Sequence, residues 1–131
     1  MKKDIEIPIV KDVYIVLVHD WNDELKTNEW NAYILNDGTI PIELVFVVSK
    51  GILGNTKTST MRHSMEALKP KSFQKLEFIQ KEVLELNNEF YLTYYAKGKL
   101  HEKRYLFKKG SISEEQLTQI PLLDKLGILA E

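Results

Sequence analysis

The chain has 131 residues, enough for one domain with its own core and too few for two of ordinary size. Hydrophobic residues make up 44% and charged residues 28%, an ordinary globular balance, and a net charge of -1 offers nucleic acid no general basic field. The absence of cysteine excludes disulfides, thiolate chemistry and cysteine-ligated zinc.

The opening, MKKDIEIPIVKD, is broken by Asp4, Glu6, Lys11 and Asp12 and does not read as a secretory signal. The longest apolar run, IPIELVFVV, contains Glu43 and is strand-sized rather than membrane-spanning, so a cytoplasmic protein is the expectation. A first strand is predicted near 12–19, DVYIVLVH, followed by a polar loop, DWNDELKTNE. The second is EWNAYILN, 29–36, in which Trp30, Ala32 and Ile34 alternate with Asn31, Tyr33 and Leu35. After the turn signal NDGTIP comes a third, 41–49, with Ile42, Leu44, Phe46 and Val48 on one face.

Residues 56–66 are polar and β-branched, with little to bury, and are placed at an edge or over one face. LKPKSF turns the chain into QKLEFI, where Leu76 and Phe78 share a face, and QKEVLELNN, 80–88, makes a helical turn between sheets. A hairpin follows, EFYLTYYA and HEKRYLFKK, with Phe90, Leu92 and Tyr94 opposite in face to Tyr91, Thr93 and Tyr95. SISEEQLTQI opens with a capping box, Ser113 and Gln116, and predicts a short helix before Pro121.

Roughly seven short strands with regular turn signals predict an all-β, immunoglobulin-like (fibronectin-like) β-sandwich with a short C-terminal helical tail. The domain is single, 1–131, with the sandwich over 10–110 and the tail over 111–131.

Chemical motifs are sparse. SKGILGNTKTST, 49–60, resembles a phosphate loop, but Thr56 stands where the second glycine belongs and the following residues favour strand, so it reads as a turn. Asp20, Asp23 and Glu24 near His19 lack calcium-loop spacing and read as a solvated loop. Ser59, Ser64, His63 and Asp20 carry no nucleophile-elbow pattern, and Glu82 and Glu85 read as a solvated face. No cofactor or metal is called for, and the chain is not expected to be an enzyme.

Two interaction surfaces are candidates. Lys97, Lys99, Lys103, Arg104, Lys108 and Lys109, interleaved with Tyr94, Tyr95, Tyr105 and Phe107, could meet phosphates while aromatics stack bases. Lysine also protects exposed strand edges, which makes RNA the second choice. Trp21 is a candidate interface anchor, and Leu122, Leu123, Leu126, Ile128 and Leu129 make the tail too apolar to stay free, so it packs on the sandwich or on a partner. The expected function is a non-catalytic protein-interaction or oligomerisation module, a homodimer being one form. The alternatives are an RNA- or tRNA-associated protein using 97–109 and an enzyme with an unrecognised loop site.

The stretches WNAYILNDGTIPIELVFVVS and LEFIQKEVLELNNEF resemble an uncharacterised β-rich domain found beside Smr (small MutS-related) domains in bacterial proteins. The counterparts of its motifs are Tyr33, Leu35, Asn36 and Asp37, then Leu76 to Ile79. The chain is also similar to small stand-alone bacterial proteins sharing MKKDIEIP, STMRH and YLFKK, some labelled phenylalanyl-tRNA synthetase alpha subunit; no motif of the synthetase catalytic domain or of an Smr nuclease is present. The resemblance implies a bacterial, cytoplasmic accessory module and supplies no catalytic residue.

Overall fold

The computed structural model describes residues 8–131. Most of the amino-terminal stretch read above as a non-signal, 1–7, lies outside them. Ten strands form two antiparallel five-stranded sheets. They are β1 (Val13–Asn22), β2 (Thr27–Asn36), β3 (Ile42–Leu53), β4 (Thr56–Lys57), β5 (Met61–Leu68), β6 (Ser72–Ile79), β7 (Asn87–Ala96), β8 (Lys99–Phe107), β9 (Thr118–Gln119) and β10 (Leu126–Leu129). The first sheet runs β6-β2-β1-β10-β9; in the second, β3 lies between β7 on one side and the two-residue β4 and the longer β5 on the other, and β8 forms the far edge. Among the described residues no helix is long and apolar enough to cross a membrane.

One core lies between the sheets. Ile15, Leu17 and Ile34 from the first meet Val45, Val47, Phe90, Leu92 and Phe107 from the second. The Tyr105 hydroxyl donates to the Val13 carbonyl at 2.6 Å, joining β8 to β1 across this core, and burial raises its pKa. A second apolar cluster lies on the outer face of the first sheet, where Val16, Val18 and Leu35 meet Ile120 and Leu123. Because both faces of β1 are covered, its apolar run is continuous rather than alternating.

The hairpin of β7 and β8 follows its pattern. Phe90, Leu92 and Tyr94 are buried, and the two-residue loop Lys97-Gly98 has φ of 52° and 72°, the left-handed pair that suits the twist of a hairpin. The predicted polar edge is β4 and β5, and the predicted helical turn is a 3-10 segment, Lys81–Glu85, carrying the chain from the first sheet to the second. The polar loop after β1 is shorter than expected: the β1–β2 ladder extends to Asn22 and Thr27. Asn22 closes the turn, its side-chain oxygen accepting from the backbone N–H groups of Glu24 and Leu25.

Three expectations are corrected. In β3, Ile42 points inward, but Leu44 and Phe46 do not share its face. A bulge between Glu43 and Phe46, with Leu44 at φ 49°, adds a residue and reverses the alternation, so Val45, Val47 and Ser49 point in. A second irregularity skips Leu76 between the pairs Ala32–Glu77 and Tyr33–Lys75, so Leu76 packs on the core while Phe78 is exposed.

The third concerns the tail, which is not helical. Ser113 makes no side-chain cap bond, and only Glu114–Gln116 forms a 3-10 turn. The chain then enters β9 and β10, and β10 pairs with β1 at Val16–Leu129, Leu17–Ile128 and Val18–Gly127. Beyond β10 the backbone crosses to the second sheet: Ala130 donates to the Ile15 carbonyl, and Glu131 exchanges hydrogen bonds of 3.0 and 3.2 Å with Leu106 of β8. This crossing closes one flank of the two-sheet packing; on the other flank, polar side chains of β5 and β6 meet.

Candidate functional site

The basic residues of β7 and β8 do not form one surface. Pairing and pleat send Lys103 toward the inner face, where its ammonium lies 4.9 Å from the Tyr105 ring centre, and Arg104 to the outer face. Arg104 is held by Glu89, Lys108 lies 3.8 Å from Glu131, and Lys97 sits in the hairpin turn. Lys99 and Lys109 are exposed at the two ends of β8.

The tail residues divide as well. Leu123 and Ile128 are buried in the chain's own fold, the first of the two placements expected for the tail; Leu122, Leu126 and Leu129 remain partly exposed. Lys125 anchors this segment to Asp20 of β1 at 2.5 Å, and Asp20 also accepts from the buried Asn31 amide at 2.9 Å. Burial alone would raise the Asp20 carboxyl, but the hydrogen bonds from Lys125 and Asn31 and the Lys125 charge outweigh it and hold the group below the ordinary carboxylate value. The same hydrogen bond raises the Lys125 ammonium. Trp21 is 57% exposed beside Asp23, while Trp30 lies in the core with His19 stacked on it at 4.4 Å.

A different surface emerges on the outer face of the second sheet. Leu44 and Phe46 of β3, Tyr91 and Tyr95 of β7, and Leu100 of β8 are all exposed there, at 64% for Leu44 and 39–45% for the others. The ladder aligns them, with Val48 opposite Tyr91, Glu43 opposite Tyr95, and Tyr95 opposite Leu100. On this face Arg104 pairs with Glu89 and Glu102 accepts from the Tyr91 hydroxyl at 2.5 Å, while Glu43, Lys50 and Arg62 form no ion pair among the described residues. The sequence reading missed the surface because a strict period of two carries Leu44 and Phe46 inward; the bulge at Leu44 puts them outside.

The suspected phosphate loop turns the chain. Gly54, at φ 59°, joins β3 to β4, and the Thr58 hydroxyl accepts from Gly51 N–H at 2.8 Å. Of the residues considered for nucleophilic chemistry, Asp20 is taken up by Lys125 and Asn31, and His63 enters a separate polar cluster with other partners than expected. His63 Nε2 lies 2.7 Å from Glu77 Oε1, and the Ser49 hydroxyl donates to that same oxygen at 2.5 Å. The carboxylate bridges serine and histidine, so the imidazole does not face the hydroxyl as a general base would. Three strands contribute, β3, β5 and β6, and the cluster links the sheets at the flank opposite the carboxyl-terminal crossing. Its sequence trace is slight: Ser49 is in phase with Val45 and Val47, and Glu77 with Ile79.

Comparison with protein families, with curated proteins and with solved structures finds no match to this chain.

Proposed function

We propose that the protein is a non-catalytic interaction module that associates with a second copy of itself through the outer face of its second sheet. The observation that carries this is the asymmetry between the two outer faces. Val16, Val18 and Leu35 on the first are covered by the chain's own Ile120 and Leu123, whereas Leu44, Phe46, Tyr91, Tyr95 and Leu100 on the second have no covering segment among the described residues.

Two further features favour a second copy. Arg104 and Glu89 pair within the face, and the other charges there, Glu43, Lys50, Arg62 and Glu102, are of both signs, so an identical surface can bring opposite charges together. Leu44 also holds a left-handed backbone, which disfavours a side chain by about 1–2 kcal/mol, while leaving that side chain mostly in water; an interface gives the leucine a use. Four strands spaced by about 4.8 Å and some eight residues long present roughly 500 Å² per copy. A pair would bury about 1,000 Å², the low end for a specific interface, which predicts reversible association.

The domain type belongs to the same proposal. With β4 and β5 counted as one edge, the strands run β1-β2-β6 and β5-β3-β7-β8, an order that supports an immunoglobulin-like, fibronectin-like sandwich extended by β10. A bacterial, cytoplasmic setting alongside Smr-type domains is the part that rests on sequence resemblance. RNA recognition by 97–109 draws less support, since its cations divide between two faces and a turn.

Sedimentation velocity over a wide concentration range tests the proposal. A weight-average mass that rises toward twice that of the chain is expected; a monomer mass throughout refutes it.

A further inference from the structure

The flank between β5 and β6 opens into a cleft of about 320 Å³. That volume lies at the lower end of the range for small-molecule sites. Glu77 is the one carboxylate lining it, and the core residues Ile79 and Phe90 also line it, with Asn88 and Gln80 as polar neighbours. Ser49, beneath Glu77, is 3% exposed. Lys50 lines the cleft too, but it follows the inward Ser49 in the strand and alternates to the outer face, where it borders a separate groove with Val48 and Tyr91.

The hydrogen bonds at Glu77 are lopsided. Ser49 and His63 both use Oε1, and among the described residues Oε2 accepts none. Glu77 is thus fixed in orientation by strands of the opposite sheet and keeps an acceptor free. The Asn88 amide, by contrast, is spent on the Val83 and Leu86 carbonyls and holds the adjoining 3-10 segment that walls the cleft.

We propose that this cleft is a binding site for a guanidinium or ammonium group carried on a short apolar body, the cation seated on Glu77 Oε2 and the apolar part against Ile79, Val83 and Phe90. A charge-assisted hydrogen bond to a carboxylate whose second oxygen is already held requires no reorganisation of the site, and the apolar side chains of Ile79, Val83 and Phe90 on one side of the cleft strengthen it. The cation could come from a free amine or from an arginine or lysine side chain of a peptide; the two share this chemistry.

Titration of the ¹⁵N-labelled full chain with benzylamine, butylguanidine and N-acetyl-arginine methylamide, against benzyl alcohol and benzoate, tests the site. Saturable shifts confined to amides around Gly51, Glu77, Gln80 and Asn88 are expected for the cations and not for the neutral or acidic probes. Tighter binding of the blocked arginine than of the free amines would point to a peptide source, the reverse order to a small molecule. Glu77→Gln, which keeps an oxygen for Ser49 and His63, is expected to weaken cation binding about tenfold or more. Equal binding of benzyl alcohol, no saturable shift by about 10 mM probe, or undiminished affinity in Glu77→Gln would each overturn the proposal. If Glu77→Gln does not fold, the charge selectivity and location measured on the wild-type chain decide the matter.

Discussion

Gly127→Ala probes the attachment of the carboxyl-terminal strand. Gly127 pairs with Val18, and a Cβ there would overlap the Leu17 carbonyl oxygen and lie 3.0 Å from Ile120 Cγ1. A backbone carbonyl in a ladder cannot rotate away, so β10 must move off β1. The backbone of Gly127 is outside the left-handed region, so alanine by itself would favour folding by about 0.4–1 kcal/mol, and any loss must come from overlap. Complete release of β10 would uncover Ile120, Leu123 and Ile128, an upper bound of about 5–9 kcal/mol at 1.5–3 kcal/mol per side chain. A partial shift of the strand is cheaper, and overpacking of this kind costs about 1–3 kcal/mol. We therefore expect a net loss of about 1–2 kcal/mol, read in urea as a midpoint lowered by about 0.5–1 M. Amide exchange should accelerate at 126–130 well before β7. A loss below about 0.5 kcal/mol, or equal acceleration in both places, would refute the idea that β10 is docked by close backbone approach.

Two other substitutions test separate parts of the structure. Leu44→Gly relieves the left-handed backbone at a mostly exposed side chain and should stabilise the monomer by about 0.5–1 kcal/mol in urea melts while weakening self-association; destabilisation would mean the leucine packs within its own domain. Lys125→Met removes the partner of Asp20, and since Lys125 is nearly half exposed the expected cost at neutral pH is only about 1 kcal/mol. The Asp20 carboxyl is depressed in the folded chain, so its contribution is present above the unfolded value of about 4 and lost as pH falls through the folded one. The Lys125 ammonium is raised, so its share is lost only as pH rises beyond about 10.5. Stability curves of wild type and variant should converge at both extremes; a difference constant from pH 2 to 7, a window of about 5 units, would exclude the ion pair as its source.

Elements whose pattern is local could be read from the residues. The alternation of Phe90, Leu92 and Tyr94 and the Lys97-Gly98 turn define the β7–β8 hairpin without help from elsewhere. Two kinds of information escaped. Bulges at Leu44 and Leu76 each add one residue, and a one-residue slip exchanges the faces beyond it, which is why alternation alone puts Leu44 and Phe46 on one face with Ile42. The tail carries a helix-start signal at Ser113, yet the apolar face of β1 and β2 recruits Ile120, Leu123 and β10, and this tertiary contact prevails over the local preference. Ser49, His63 and Glu77 come from three strands, so no spacing in the chain announces their meeting.

The central claim is that the outer face of the second sheet joins two copies. Sedimentation of Phe46→Glu/Tyr95→Glu beside Trp21→Glu, each at the concentrations where the wild-type chain self-associates, tests it most directly. Both Phe46 and Tyr95 are exposed, so the double variant should keep its fold. The account predicts a monomer for the double variant and undiminished association for Trp21→Glu; a double variant that associates like the wild type would contradict it.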